Sequence, residues 1–202
     1  MLKVGLTGSI AVGKSFVLGV LAELGCRTLD ADKVAREVVE AGTPGLNAVT
    51  QAFGDEILNS DRSLDRARLG EIVFQDESKR LQLNSILHPF IIARQDEILR
   101  EWEHETPDAI AVIDAALMIE SGGYRRLDKL IVVHCRPEVQ LERLINRDGL
   151  SREEAVRRIK AQMPQEEKKK FADFLIDTSG TLEATRAQVL SVFEKLRALA
   201  AA

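Results

Sequence analysis

A chain of 202 residues is long enough for one substantial core with a small inserted subdomain, and too short for two full domains. Its formal net charge of −4 gives no general attraction to nucleic acid or to an anionic membrane, so any positive field must be local. No apolar run is long enough to cross a bilayer, and the N-terminus runs straight into a strand pattern rather than a signal peptide; we expect a soluble, cytoplasmic protein, monomeric or weakly oligomeric.

The first apolar run, Leu2–Leu6, reads as a buried strand and delivers the chain to GSIAVGKS, Gly8 to Ser15. The spacing G-x-x-x-x-G-K-S describes a loop whose backbone N–H groups turn inward around a phosphate chain. Gly8 and Gly13 leave no Cβ where the backbone must approach the ligand. Lys14 brings a compact positive charge to the outer phosphates, and the Ser15 hydroxyl is a ligand for magnesium. Phe16, Val17, Leu18, Val20, Leu21 and Leu24 continue with the spacing of a helix over Lys14–Leu24, closed by Gly25, whose positive N-terminal end faces the phosphates. A glycine-rich turn without chemistry is the competing reading; the strand before and the helix after argue against it.

The second strand, Cys26–Leu29, ends in LDAD and sets Asp30 and Asp32 at its carboxyl end, where open α/β sheets bind their ligands. A carboxylate there orients an acceptor hydroxyl and takes its proton late in phosphoryl transfer. Alternatively, either aspartate caps the helix expected over Asp32–Glu40. From Thr43 to Glu103 the pattern is mostly helical, broken at Thr43-Pro44-Gly45, Asn59–Ser63 and His88-Pro89. We read residues 43–103 as a helical insertion lying over the C-terminal edge of the sheet, with 1–42 and 104–202 as the core.

The third strand, Ala109–Ala115, contains Asp114, a carboxylate able to hold magnesium through water, or else a turn residue. After the fourth strand, Leu130–His134, a helix over Glu138–Arg147 leads into NRDGLSREEAVRRIK, where Arg147, Arg152, Arg157, Arg158 and Lys160 surround a Gly149 hinge. Guanidinium groups match phosphate oxygens, and a mobile segment that carries them closes over a reaction and expels water. We place this lid over residues 147–168. Ser151 with Glu154 makes a capping box for its helix, and most of the arginines have glutamates at pairing distance. Arg147, ending the preceding helix, is the one that faces the lid turn. Phe174–Ile176 and Leu182–Leu199 complete an α/β pattern of five strands in a parallel, doubly wound sheet flanked by helices. Cys26 and Cys135 lie in apolar runs without metal-ligand spacing and read as reduced core thiols, and the triple lysine Lys168–Lys170 reads as a solvated helix face.

Taken in order, the phosphate loop, LDAD followed by Arg36, GTPG, LDRARLGEIVF, LNSILHP, LMIE, VVHCRPEVQLERLINRDGLSREEA and AQMPQEEK resemble the dephospho-CoA kinase family from Met1 to about Gly180. The resemblance implies a P-loop NTPase/kinase fold with a helical substrate-binding insertion and a lid. It also implies transfer of the γ-phosphoryl group of ATP, with Mg2+, to the ribose 3′-hydroxyl of dephospho-CoA, the last step of coenzyme A synthesis. On that resemblance Asp32 faces the acceptor hydroxyl, Lys14 and Ser15 serve phosphate and magnesium, and Arg147 is the lid arginine. Arg66 and His88 fall in the part used for the CoA substrate. Gly8, Ser9, Ala11, Val12, Gly13 and Phe16 complete the nucleotide loop, and Ser179 and Gly180 of DTSG lie near the adenine. Ser9, Val12 and Phe16 stand where the family more usually has glycine, serine and threonine, and DAALMIES and DTSG stand for the more usual DIPLLFE and DNSG. Val12 offers the same backbone N–H as a serine would. Two other classes stay open: another small-molecule P-loop kinase, of nucleoside or shikimate type, and a nucleotide switch or ATPase. A guanine-specific switch would carry N-K-x-D, which the sequence lacks.

Overall fold

The computed structural model describes residues Met1–Ala201. Five strands, β1 (Leu2–Gly8), β2 (Arg27–Asp30), β3 (Ile110–Asp114), β4 (Lys129–His134) and β5 (Phe174–Asp177), form one sheet in the order β2-β3-β1-β4-β5. β1 is central. It runs parallel to β3, with Leu2 beside Ile110 and Leu6 beside Asp114, and parallel to β4, with Val4 beside Lys129 and Gly8 beside Val133. β5 extends the sheet in parallel from Ile131–Phe174 to His134–Asp177.

A parallel sheet covered on both faces needs continuous apolar strands rather than alternating ones. That is why VGL, IAVI and LIVV are strands here: Val4, Leu6, Val112, Ile131 and Val133 are all inaccessible to solvent. Helices α1 (Lys14–Glu23) and α9 (Leu182–Ala200) contribute Val17, Val20, Leu21, Val189, Val192 and Leu196 to the same core. Each such buried branched side chain stabilises the fold by about 1.5–3 kcal/mol. Both cysteines are buried free thiols, and burial pushes Cys26 up to about 11, as expected of inert core residues.

The chain divides into two units, Met1–Leu29 with the residues from Trp102 onward, and Asp30–Glu101. The second holds α2 (Ala31–Glu37), α3 (Pro44–Phe53), α4 (Arg66–Gln75) and most of α5 (Glu77–Glu105). Thr43 caps α3 by accepting from Leu46 N–H, with Pro44 in the first turn, and Asp65 caps α4 by accepting from Arg68 N–H. The break expected at His88-Pro89 does not occur, since α5 runs through Pro89 without interruption. A proline removes one helical bond, to the carbonyl four residues back. Here that residue is Ser85, and Ser85, His88 and Pro89 are all exposed, so the lost bond lies on the solvent side of α5.

In the first unit the chain after β4 forms α6 (Pro137–Asp148), α7 (Arg152–Lys160) and α8 (Gln165–Lys169) before β5. Gly149, at φ +64, ends α6 in the left-handed conformation glycine favours, and Ser151 and Glu154 make the capping box that starts α7.

Candidate active site

β1 stops at Gly8 and α1 starts at Lys14, so five residues turn the chain at the carboxyl edge of the central strand. A Cβ on Gly8 would stand 2.6 Å from the Val133 carbonyl oxygen, which only glycine avoids. Gly13 takes φ +84, and Ala11 takes φ +61, a conformation that costs an L-residue about 1–2 kcal/mol. The Val12 side chain is buried in the core, so only its backbone remains to a ligand, and its carbonyl accepts a 2.6 Å hydrogen bond from the Thr178 hydroxyl.

The N-terminus of α1 differs from those of its neighbours. Side chains of Asp30, Thr43, Asp65, Ser151 and Thr181 cap α2, α3, α4, α7 and α9. α6 and α8 also have no side-chain cap bond but place glutamates in their first turns, Glu138 in α6 and Glu166 and Glu167 in α8, whereas α1 has neither a cap nor an acidic residue there. Phe16 N–H turns back to the Gly13 carbonyl (3.2 Å), and the Lys14 and Ser15 N–H groups with the positive end of the dipole are left for an anion. Lys14, in that turn, pairs with Asp114 at the end of β3, and both side chains are mostly buried. Ser15 follows, exposed.

The loop floors a cleft of about 660 Å³ whose far wall comes from α6 and the segment after α7, through Arg143, Asn146, Arg147 and Gln162. Arg143 is fixed in place: one guanidinium nitrogen donates to the Thr178 hydroxyl (3.0 Å) and another to its carbonyl (2.8 Å). Arg147 makes a two-point contact with Asp148 (2.7 and 3.1 Å), which also pairs with Arg158 from α7 (3.1 Å). Hydrogen bonding to Arg147 holds the Asp148 carboxyl below its usual range, and the same contact raises the Arg147 guanidinium.

Of the residues expected at the site, Gly8, Ser9, Ala11, Val12, Gly13, Lys14, Ser15 and Arg147 line this one cleft, and Asp114 joins them through Lys14. Phe16 instead packs against the core. Ser179 donates to Asp177 (2.5 Å) and accepts from Arg136 N–H (2.8 Å), and Gly180 is exposed before α9; neither lines the cleft. Asp32, Arg66 and His88 belong to the second unit and are exposed there, with Arg66 donating to the Arg36 carbonyl (3.3 Å). The cap of α2 is Asp30, which accepts from the N–H groups of Asp32 (2.8 Å) and Lys33 (3.1 Å), and this frees the Asp32 carboxylate from that role.

A second expectation is overturned. Lys168 is not on a solvated face: it is fully buried, donates to the Ala116 carbonyl (2.8 Å) and pairs with Glu120 (2.9 Å). Glu120 also accepts from Met163 N–H (3.2 Å), so it ties the segment from Met163 to α8 to the stretch after β3. Sequence reasoning also passed over Arg143, Thr178 and the glutamines 140, 162 and 165. Arg143 had a readable signal, since it lies one helical turn before Arg147 on the same face of α6.

A glycine loop in the first strand–helix unit, an open helix N-terminus behind it and arginines on the opposite wall, on a parallel sheet of this order, define a P-loop kinase. Within that class the comparison with known proteins is specific. A sequence model of dephospho-CoA kinase matches residues 2–184, and the chain belongs to that family. It is 45% identical over 192 residues to the dephospho-CoA kinase of Carboxydothermus hydrogenoformans, covering 95% of this chain and 93% of that one. Its fold is similar to that of a crystal structure from Thermus thermophilus (TM-score 0.82, 32% identity, 96% and 97% covered) and to a dephospho-CoA kinase from Campylobacter jejuni (TM-score 0.73, 31% identity, 96% of each covered).

Proposed function

We propose that this dephospho-CoA kinase binds ATP with its phosphates on the Gly8–Ser15 loop and transfers the γ-phosphoryl group to the ribose 3′-hydroxyl of dephospho-CoA. The observation that carries the nucleotide half is the open N-terminus of α1, uncapped and free of acid, beneath a glycine loop that ends in Lys14. Backbone N–H groups of the loop and the Lys14 ammonium neutralise phosphate charge, and because they are fixed beforehand they need no reorganisation as charge develops. Arg147, once released from Asp148, brings a planar two-donor fork to the transferring group, and Gly149 next to it is the pivot.

For the acceptor we assign Asp32 as the group that holds the 3′-hydroxyl and accepts its proton, with Arg66 and His88 serving the rest of the substrate. The chemistry is displacement in line: the acceptor oxygen bonds to phosphorus as the bond to the ADP oxygen breaks, and the hydroxyl proton passes late to the carboxylate. Support for Asp32 comes from Asp30, which takes the capping role that would otherwise explain an aspartate here.

Magnesium fits the oxygen donors at hand. Among the described residues no three His, Cys, Asp or Glu side chains gather as a metal cage. An Mg2+ that keeps its waters and takes phosphate oxygens needs only one or two protein ligands, such as the Ser15 hydroxyl and the Asp114 carboxylate. It would supply neutralisation of the phosphate charge.

The test is ADP release with and without dephospho-CoA, beside a panel of nucleosides, shikimate and other alcohols. Stimulation by dephospho-CoA alone is expected. Equal stimulation by another alcohol would move the chain to a different acceptor, and hydrolysis without any acceptor would make it an ATPase.

A further inference from the structure

The apex of the phosphate loop is Ile10, and both of its backbone polar groups are engaged by side chains from distant parts of the chain. Its N–H donates to Gln162 Oε1 (2.8 Å), and its carbonyl accepts from Gln140 Nε2 (2.8 Å). Gln140 Oε1 accepts from Gln165 Nε2 (2.8 Å), and Gln165 Oε1 accepts from Cys135 N–H (2.9 Å). A backbone donor at one end and a backbone carbonyl at the other leave one orientation for each of these two amides. Gln140, on α6, is 2% exposed, so its four bonding positions have no ready substitute in water. Ser9 adds a longer contact from its hydroxyl to the Met163 carbonyl (3.5 Å).

We infer that Gln140, Gln162 and Gln165 form a clamp that sets the conformation of the phosphate loop and fastens the C-terminal root of the lid to it. They are positioning residues for the nucleotide phosphates. The reasoning is conformational. Ala11, next to Ile10, holds a left-handed backbone that alanine does not choose by itself, so something must hold the loop there. The clamp grips the residue immediately before it from both sides. It also occupies the Ile10 amide, and Val12 N–H turns back to the Ser9 carbonyl (3.5 Å), which leaves the amides from Gly13 to Ser15 to meet phosphate. Gln162 lies just after α7 and is followed by Met163, whose N–H donates to Glu120, and by the buried Lys168, so this root of the lid is fixed at four points. The other root is Gly149, which carries a positive φ and whose added Cβ would meet nothing within 4 Å. Movement of the lid therefore pivots at Gly149, and the loop keeps its shape while the lid moves.

The inference rests on the nucleotide half of the proposed function and is tested without the acceptor. In Gln162→Met the side-chain volume is kept and the acceptor for Ile10 N–H is lost. ADP affinity by calorimetry should weaken about tenfold, the scale of one lost hydrogen bond. The KM for ATP should rise by a similar factor with kcat within about twofold, because a loop that must be ordered by its ligand loses ground-state and transition-state binding together. Amide hydrogen exchange at Ile10 should accelerate while the bulk of the sheet stays protected. Gln140→Met should act in the same direction; if that buried variant does not fold, Gln162→Ala, at a half-buried position, supplies the second measurement. Unchanged ADP affinity in both Gln162 variants overturns the clamp, and so does a loss of kcat with affinity intact. Failure of the acceptor assignment would show differently, as wild-type protein that binds ADP but does not respond to dephospho-CoA.

Discussion

Asp30 and Asp32 are two residues apart, and replacing each should produce opposite signatures. Asp30 holds the first turn of α2 through two hydrogen bonds, 2.8 Å to Asp32 N–H and 3.1 Å to Lys33 N–H. Losing such a cap to alanine costs about 1 kcal/mol, with a range of 0.5–2. In a protein of this size that lowers Tm by about 2–4 °C. Asp30→Asn, which keeps a cap, should restore it. Asp32 accepts no capping bond and stands exposed in the first turn. Asp32→Asn preserves shape and removes the proton acceptor, so kcat should fall about 10²–10⁴-fold, or roughly 3–5 kcal/mol in barrier height. Its effect on stability is limited to the 0.3–1 kcal/mol of a carboxylate near a helix N-terminus. The assay is coupled ADP release at saturating dephospho-CoA, with ADP binding by calorimetry, expected to be unchanged, and Tm by scanning fluorimetry. Full activity in Asp32→Asn would refute the assignment and leave this carboxylate as a helix-end charge.

Four further outcomes are expected. Lys14→Ala should lose transfer by about 3 kcal/mol or more in barrier height while remaining folded, and wild-type turnover in that variant would remove the phosphate-loop reading. Arg147→Lys should lower kcat more than ATP affinity, since lysine keeps the charge and not the fork; equal kinetics would make Arg147 only the ion-pair partner of Asp148. Lys168→Met strands Glu120 and should cost about 3 kcal/mol by denaturant titration, the low end for a broken buried pair because Glu120 is a quarter exposed, whereas Lys170→Ala should stay within about 0.5 kcal/mol. Burial, with the Lys169 charge adding to it, pushes the His134 imidazole below its usual value, while Asp177 and Glu166 oppose the shift. The folded state therefore favours the neutral ring, and its share of stability is fully present above about pH 6.5 and is lost as the pH falls below that value toward the lowered value of the folded state. His134→Gln should accordingly flatten the fall in Tm between about pH 7.5 and 5.5, and an unchanged slope would remove His134 as its source.

The parts of this protein that could be read from the sequence are those whose physics is local. A strand buried on both faces must be apolar throughout, so VGL, IAVI and LIVV announced themselves, with ends one or two residues from those observed. The phosphate loop was legible because a glycine at φ +84 and an ammonium on the next residue are requirements written within eight positions. What was misread depends on partners far away. Three consecutive lysines look alike, yet Lys168 is buried because Glu120, 48 residues earlier, reaches it, while Lys170 pairs with Glu167 on its own exposed turn. Pro89 satisfies the local rule for a break, yet α5 continues through it where the bond it removes lies among exposed residues. The clamp was invisible for the same reason: Gln140 and Gln162 meet Ile10 across 130 and 152 residues, and nothing near either glutamine marks it as different from a surface residue. A phosphate loop specifies its ligand in eight residues, but the frame that fixes its shape is distributed along the chain. Substitutions that weaken nucleotide binding should therefore be found at those glutamines as well as in the loop itself.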